Sequence, residues 1–134
     1  MNGYIWNKEK IKIFIGDKII DTYTIEFKNK RVKGQIKILK QGENELLENV
    51  KFNLYAKDNI IINNKIIYKK NELILTKTTN KEGIIIFDNL ELGNYYIKEI
   101  ETNNNYILDD KEYEISLKYK DEETSIIKEY IEIK

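Results

Sequence analysis

Two clusters of carboxylate side chains are the first candidates for a catalytic or metal-binding site in this sequence. Asp109 and Asp110 stand together, as do the acids of residues 121–123, and a pair of carboxylates is the equipment of a glycosidase. Both clusters lie in turn-like segments. Together with the amides of residues 103–105 they could offer oxygen ligands for calcium, but they lack the ligand spacing of an EF-hand. The chain contains no His, the commonest general base and transition-metal ligand. A small hydrolase is therefore a remote alternative, and we expect no cofactor and no metal.

Composition narrows the class of protein further. The chain has 134 residues, of which 41% are hydrophobic and 34% charged, so one domain with its own core is expected. Lys plus Arg and Asp plus Glu number 23 each, which leaves no net field to attract nucleic acid. The absence of Cys excludes disulfides and thiolate chemistry. No apolar run approaches the roughly 20 residues of a membrane span, and the polar start is no signal peptide. We expect neither a nucleic-acid partner nor membrane insertion.

The apolar residues recur mainly with period two, which is the pattern of half-buried β-strands. Ile and Tyr, which are frequent here, favour strands, while Asn and Gly separate the apolar runs as turn residues. A short helical turn could form only at 43–49. The pattern predicts strands at 10–15, 23–28, 34–40, 50–55, 60–62, 66–68, 72–77, 83–87, 95–100, 113–119 and 125–133. Many short strands at this spacing indicate an all-β sandwich.

The sequence also repeats itself out of phase. Three pairs of segments match, in order: 2–5 with 104–107, 10–15 with 112–117, and 23–28 with 129–134. We interpret residues 1–31 as the C-terminal strands of a preceding repeat module, and residues 32–134 as a second module lacking its final residue or residues. Neighbouring tandem modules are then the expected partners. In this alignment Asn29 corresponds to the position immediately after Lys134.

Five segments of the second unit carry a family resemblance, namely 34–40, 47–55, 78–90, 92–99 and 105–109. In this order and spacing they resemble the CnaB (SpaA-type) domains of Gram-positive surface adhesins and pilins. The chain departs from that family in two turns, with Leu92-Gly93 where Pro-Gly is frequent and residues 103–106 where Pro-x-Gly-Tyr is frequent. The resemblance implies a transthyretin-like, reversed immunoglobulin-like β-sandwich. It further implies a non-enzymatic stalk module at the cell surface, associated with the cell wall.

Many domains of that family close a spontaneous isopeptide bond between a first-strand Lys and a last-strand Asn or Asp, assisted by a Glu. By position the resemblance makes Lys37 the nucleophile and Glu99 the proton shuttle, with Lys40 as the rival if the register slips. Asn29 would be the acceptor of the preceding module, and the residue after Lys134 that of the second. Attack requires a neutral amine, and burial disfavours the charged forms of both amine and carboxyl. The carboxylate could then carry the amine proton.

Several placements follow from this interpretation. A lysine between two isoleucines usually faces solvent, but the resemblance predicts that Lys37 faces Glu99 in the core, with Ile36 and Ile38 on the other side. Residues predicted to lie inside are Phe52, Leu54, Phe87, Leu90, Tyr95 and Ile97. Only four residues separate Asn29 from the strand at 34–40, which suits an antiparallel hairpin rather than parallel neighbours. We therefore expect no intramolecular isopeptide bond in this chain.

A ligand-binding module on the same fold is the alternative function. Its exposed loops at 60–70 and 101–109 would then contact a host extracellular protein or glycan. Neighbouring sequence would discriminate the two functions, since further modules upstream and a wall-sorting tail downstream favour the stalk. A single module beside a catalytic domain would favour the accessory binder.

Overall fold

The computed structural model describes the backbone of residues 4–8, 27–121 and 124–134, and the side chains of 31–121 and 124–134. The described residues form strands and no helix, so no described segment is a helix that could cross a membrane. The strands are β1 (Tyr4–Lys8), β2 (Phe27–Arg31), β3 (Lys33–Lys40), β4 (Lys51–Ala56), β5 (Ile60–Ile62), β6 (Lys65–Tyr68), β7 (Leu73–Thr78), β8 (Ile84–Leu90), β9 (Gly93–Glu101), β10 (Glu112–Leu117) and β11 (Ile126–Ile133).

Two sheets make up the sandwich. One has four strands in the order β10-β9-β4-β7, and the other has three in the order β11-β3-β8. All described pairings are antiparallel except that of β11 with β3, which is parallel with Ile133 opposite Lys40. The last strand of the sandwich therefore lies beside its first strand, and both end at the same end of the molecule.

Asparagines form most of the tight turns. Asn63 and Asn64 have φ values of 51° and 63° and join β5 to β6, as a type I′ hairpin turn requires. Four further asparagines have positive φ, namely Asn44, Asn49, Asn71 and Asn89. Asn tolerates the left-handed region better than other residues with a side chain, which explains how a chain with six Gly and no Pro makes so many turns.

The alternating strands bury one face each in a shared core. All six residues predicted to lie inside are buried, which confirms that part of the sequence analysis. The nine strands predicted after residue 33 are present, with ends shifted by at most three residues. Residues 43–49 form bends and a bridge between Gln41 and Leu46 instead of a helical turn. The predicted strand at 10–15 and most of that at 23–28 lie outside the described residues.

Strand β2 pairs with β1 and continues almost directly into β3. Only Val32 separates the two strands, and its side chain is buried in the sandwich core. The pairing places Asn29 opposite Trp6 of β1, in a different sheet from β3. A β-element formed by residues 1–31 is consistent with this pairing, while their assignment to a preceding module remains a prediction.

Candidate cross-linking site

Strand β3 directs Lys40, and not Lys37, into the core. Ile36, Ile38 and Lys40 are buried on one face of the strand, with 5% of Lys40 exposed. The prediction that Lys37 faces Glu99 is therefore wrong, as is the outward orientation predicted for the two isoleucines. The physical reason is period two: once the isoleucines fill the core, the lysine between them must point away. Lys37 Nζ instead lies 5.8 Å from the ring centroid of Tyr130 on β11.

Two backbone hydrogen bonds hold Lys40, and a third holds the residue after it. Its N–H donates to the carbonyl oxygen of Gly83 at 2.8 Å, and its own carbonyl accepts from Leu47 N–H at 3.1 Å. The next N–H, of Gln41, donates to the Ile133 carbonyl of β11 at 2.8 Å. Gly83 has a φ of 73°, and a Cβ at this position would lie 2.6 Å from the Lys40 oxygen. The turn therefore requires glycine here.

Glu99 faces Lys40 from the opposite sheet. It follows Tyr95 and Ile97 on the inward face of β9, and 1% of it is exposed. Its Oε1 lies 3.3 Å from Lys40 Nζ, as an ion pair without hydrogen-bond geometry. Its Oε2 accepts a hydrogen bond from the backbone N–H of Asp109 at 2.5 Å. Glu99 is buried in the core as predicted, and its role as proton shuttle stays a prediction.

The segment between β9 and β10 covers this ion pair. The Asp109 carboxylate accepts hydrogen bonds from Tyr113 Oη at 2.5 Å and Lys111 N at 2.9 Å. Burial raises the pKa of Asp109, but these two hydrogen bonds and the positive charges of Lys40 and Lys111 together lower it below its usual value. Burial, followed by the hydrogen bond to Asp109, raises the pKa of Tyr113 to about 12. Tyr106 packs on Gly42, and its hydroxyl donates to Glu45 at 2.9 Å.

A cavity of about 280 Å³ lies beside Lys40 at the end of β11. It is lined by Lys40, Gln41, Gly42, Glu43, Leu47, Thr102, Tyr106, Ile107, Asp109 and Lys134. The side-chain oxygen of Thr102 is buried and has no hydrogen-bond partner among the described residues. The cavity therefore lies between Lys40, Thr102 and the end of the last strand.

The structure brings together Lys40 and Glu99, and brings neither Lys37 nor Asn29 to them. The alternation Ile36, Ile38, Lys40 is the signal in the sequence that identifies the buried lysine. The burial of the Thr102 hydroxyl has no comparable signal in the sequence, because Thr102 lies just past the end of β9. In the described part of the chain, no group of three acidic side chains is arranged to hold a metal ion.

Residues 34–130 match the family described as the SpaA prealbumin-like fold domain. The chain belongs to this family. The match covers the sandwich from β3 into β11, including both residues of the buried ion pair. The prediction of a CnaB or SpaA-type, transthyretin-like sandwich is thereby confirmed.

Individual relatives of the chain include an adhesin and a backbone pilin. The chain is 37% identical over 93 residues to a collagen adhesin of Staphylococcus aureus, covering 67% of this chain and 7% of the adhesin. The Bacillus anthracis TIE protein superposes with a TM-score of 0.63 at 25% identity, over 97% of this chain and 22% of that one. The T6 backbone pilin of Streptococcus pyogenes gives 0.55 at 30% identity, over 75% and 20%. The chain thus spans a small part of each, and the family matches are to adhesin and pilin structural proteins rather than enzymes.

Proposed function

We propose that this SpaA-type domain is a structural stalk module of a cell-surface, wall-associated adhesin or pilin-like protein. Its stabilising device would be an isopeptide cross-link between Lys40 and an Asn at the position after Lys134. The observation that carries this proposal is the buried Lys40–Glu99 pair, 3.3 Å apart, at the end of two parallel terminal strands. A cross-link between terminal strands resists force because it closes the chain at the points where tension enters.

The register of β11 on β3 supports an acceptor beyond Lys134. Ile133 is buried and directly opposite Lys40. Because side chains alternate along a strand, the position two residues after Ile133 would return to the inward face. That position corresponds to Asn29 in the internal repeat. Lys40 thus replaces Lys37 as the proposed nucleophile, and Asn29 keeps its proposed role as acceptor for the preceding module.

The proposed reaction needs no co-reactant. The neutral amine of Lys40 attacks the carboxamide carbon, forming an N–C bond, while Glu99 accepts the amine proton. Glu99 then returns the proton to the leaving nitrogen as the C–NH₂ bond breaks, and one ammonia is released. Glu99 is suited to this shuttle because its Oε2 is held by Asp109 N–H while its Oε1 faces the amine. The reaction occurs once per molecule and is maturation rather than enzymatic turnover.

Intact-mass measurement on an extended chain tests the cross-link. Adding Asn and a few flanking residues after Lys134 should produce a folded protein that has lost one ammonia. Lys40→Ala or Glu99→Ala should abolish the mass loss, whereas Lys37→Ala is the matched control and should retain it. Glu99→Gln, which keeps the size of the side chain, guards against loss of folding. A folded extended chain of unchanged mass would rule out the cross-link.

The 134-residue chain itself should carry no such bond. Asn29 pairs with β1, and β3 is flanked by β11 and β8, so Asn29 has no place beside Lys40 in a parallel register. Its intact mass should equal that calculated from the sequence. An ammonia loss mapped to a Lys40–Asn29 peptide would contradict both the repeat alignment and the proposed acceptor position.

The junction before β3 supports a tandem arrangement. The single linking residue, Val32, is buried, and Glu91 binds both Arg31 and Lys33 on either side of it. A link this short and this well held would restrict the angle between successive modules. A stiff array of modules is what a stalk needs in order to hold a distal region away from the wall.

A second candidate is ligand binding by exposed apolar side chains in the two loops predicted for it. Ile107 is 95% exposed, and Ile66 and Ile67 are also exposed. The relative from S. aureus is named a collagen adhesin, so collagen is the probe to use. Surface plasmon resonance should show binding that Ile107→Asp or Ile66→Asp removes, and absence of binding would leave the stalk function alone.

A further inference from the structure

Thr102 presents a buried hydroxyl that nothing in the described structure satisfies. Its Oγ1 is inaccessible to solvent and has no hydrogen-bond partner among the described residues. Buried polar groups in proteins are nearly always paired, because an unpaired one loses its hydration without compensation. Thr102 also lines the 280 Å³ cavity that contains Lys40 and the end of β11. Its hydroxyl is therefore a donor available at this end of the sandwich.

Two other polar side chains at this cavity already have hydrogen-bond partners. Tyr106 donates its hydroxyl to Glu45, and Asp109 accepts hydrogen bonds from Tyr113 and Lys111. The second carboxylate oxygen of Glu99 is held by a backbone N–H. Of the described hydroxyl groups at the cavity, only that of Thr102 is buried and unpaired.

We propose that Thr102 orients the acceptor of the cross-link, by donating its hydroxyl proton to the carboxamide oxygen of the residue at the position after Lys134. This inference rests on the proposed function. Negative charge develops on that oxygen when Lys40 attacks, and a preorganised donor in a water-excluded site stabilises it. The proton stays on the threonine throughout, so the reactants and products of cross-linking are unchanged and one ammonia is still released. Glu99 moves the proton, and Thr102 holds the carbonyl group in place.

The rate of ammonia loss in the Asn-extended chain tests this role. Thr102→Val keeps the shape and removes the hydroxyl, and we expect cross-linking to slow by about tenfold or more, the loss expected for one hydrogen bond in the transition state. Thr102→Ser restores the hydroxyl and should return the rate to within about threefold of the parent. Intact mass is followed with time after dilution from denaturant at several pH values. The pH profile should keep its shape, since Lys40 and Glu99 are unchanged.

Matched variants separate positioning from stability. Thr78→Val removes an exposed hydroxyl at the end of β7 and should leave the rate unchanged. Thr102→Ala provides a second test if the valine variant fails to fold. Equal rates for parent and Thr102→Val would overturn this inference alone, as would a serine variant as slow as valine. Absence of ammonia loss in the parent extended chain would overturn the cross-link itself, so the two failures are distinguishable.

Discussion

Strand β3 has carboxylate ion pairs at both of its ends, and the two ends differ in burial. At its start, Arg31 and Lys33 bind Glu91 with side-chain exposures of 33%, 29% and 13%. At its end, Lys40 binds Glu99 with exposures of 7% and 1%. Solvent screens the first cluster, so its contribution to stability is small. The second pair has lost its hydration and depends on its partners.

The proposed cross-link depends on this difference in burial. A solvated ammonium stays protonated and unreactive, and water competes for any carboxylate beside it. A buried amine and carboxyl can exchange a proton, because the low-dielectric surroundings disfavour separated charges. The partly exposed cluster, in contrast, joins β2 to the sandwich.

Removing the buried carboxylate should have the largest effect. Glu99→Ala leaves Lys40 without its counter-ion, and such a change costs about 3–5 kcal/mol. Glu91→Ala leaves two cations that reach solvent, and should cost at most about 1 kcal/mol. Urea unfolding followed by circular dichroism measures both.

Salt provides the control for that comparison. Raising the ionic strength to about 1 M, where the Debye length falls to about 3 Å, should shrink the effect of Glu91→Ala. The effect of Glu99→Ala should persist, since ions do not enter the core. Similar free energies of unfolding for the two variants would contradict the contrast between the two ends.

Two glycines allow a matched test of the backbone at each end. Gly83→Ala should cost about 1–3 kcal/mol, because φ is 73° and the new Cβ would meet the Lys40 carbonyl at 2.6 Å. Gly93→Ala, near Glu91, meets the side chain of Ile60 at 3.1 Å and no backbone atom, without a positive φ, and should cost less. Thermal melting of the two variants ranks them, and a reversed order would show that the turn under Lys40 is not rigid.

Alkaline pH should weaken the cover over the buried pair. The pKa of Tyr113 is raised from 10.0 to about 12, so the folded state holds the proton that the unfolded chain releases. The resulting contribution to the free energy of unfolding is complete below pH 10 and is lost as the pH rises through 12. Tyr113→Phe should remove that part of the alkaline decline. Unfolding curves at pH 9, 10 and 11 compare the two proteins, and parallel declines would refute the assignment.

Acid pH should act through Asp109. The pKa of Asp109 is lowered from 3.8 in the folded protein, so its contribution to the free energy of unfolding is present above that value. This contribution is lost as the pH falls through the pKa of the folded state. Asp109→Asn should therefore be less stable than the parent at neutral pH and more nearly equal to it at low pH. Unfolding free energies that differ equally at pH 7 and pH 3 would contradict this expectation.

The smallest effect is expected at Lys37. Its ammonium lies over the Tyr130 ring on an exposed face, and an exposed cation–π contact is worth about 0.5–1 kcal/mol. Lys37→Ala should lower stability by no more than this in urea unfolding. A loss as large as that of Glu99→Ala would restore Lys37 to the core and contradict the structure.

The strands and the core were predictable because a half-buried strand shows its two faces in its sequence. Phe52 and Leu54, or Tyr95 and Ile97, alternate with polar residues, and each lies inside as predicted. The site was predicted only in part. Glu99 was placed by the order of the segments that resemble the family. The buried lysine was missed because a family position was assigned to Lys37, whereas the alternation of Ile36, Ile38 and Lys40 puts Lys40 on the inward face.

Local sequence patterns are enough to establish the all-β class, the strand boundaries within a few residues, the family resemblance and the absence of cysteine or histidine chemistry. These depend on local composition and on periods that a single strand displays. The contact of Lys40 with Glu99, the hydrogen bond from Asp109 N–H to that carboxylate, and the position of Thr102 at the neighbouring cavity became known from the folded structure. Those contacts join residues on different strands and loops, and their distances follow from how two sheets pack, which no local pattern encodes.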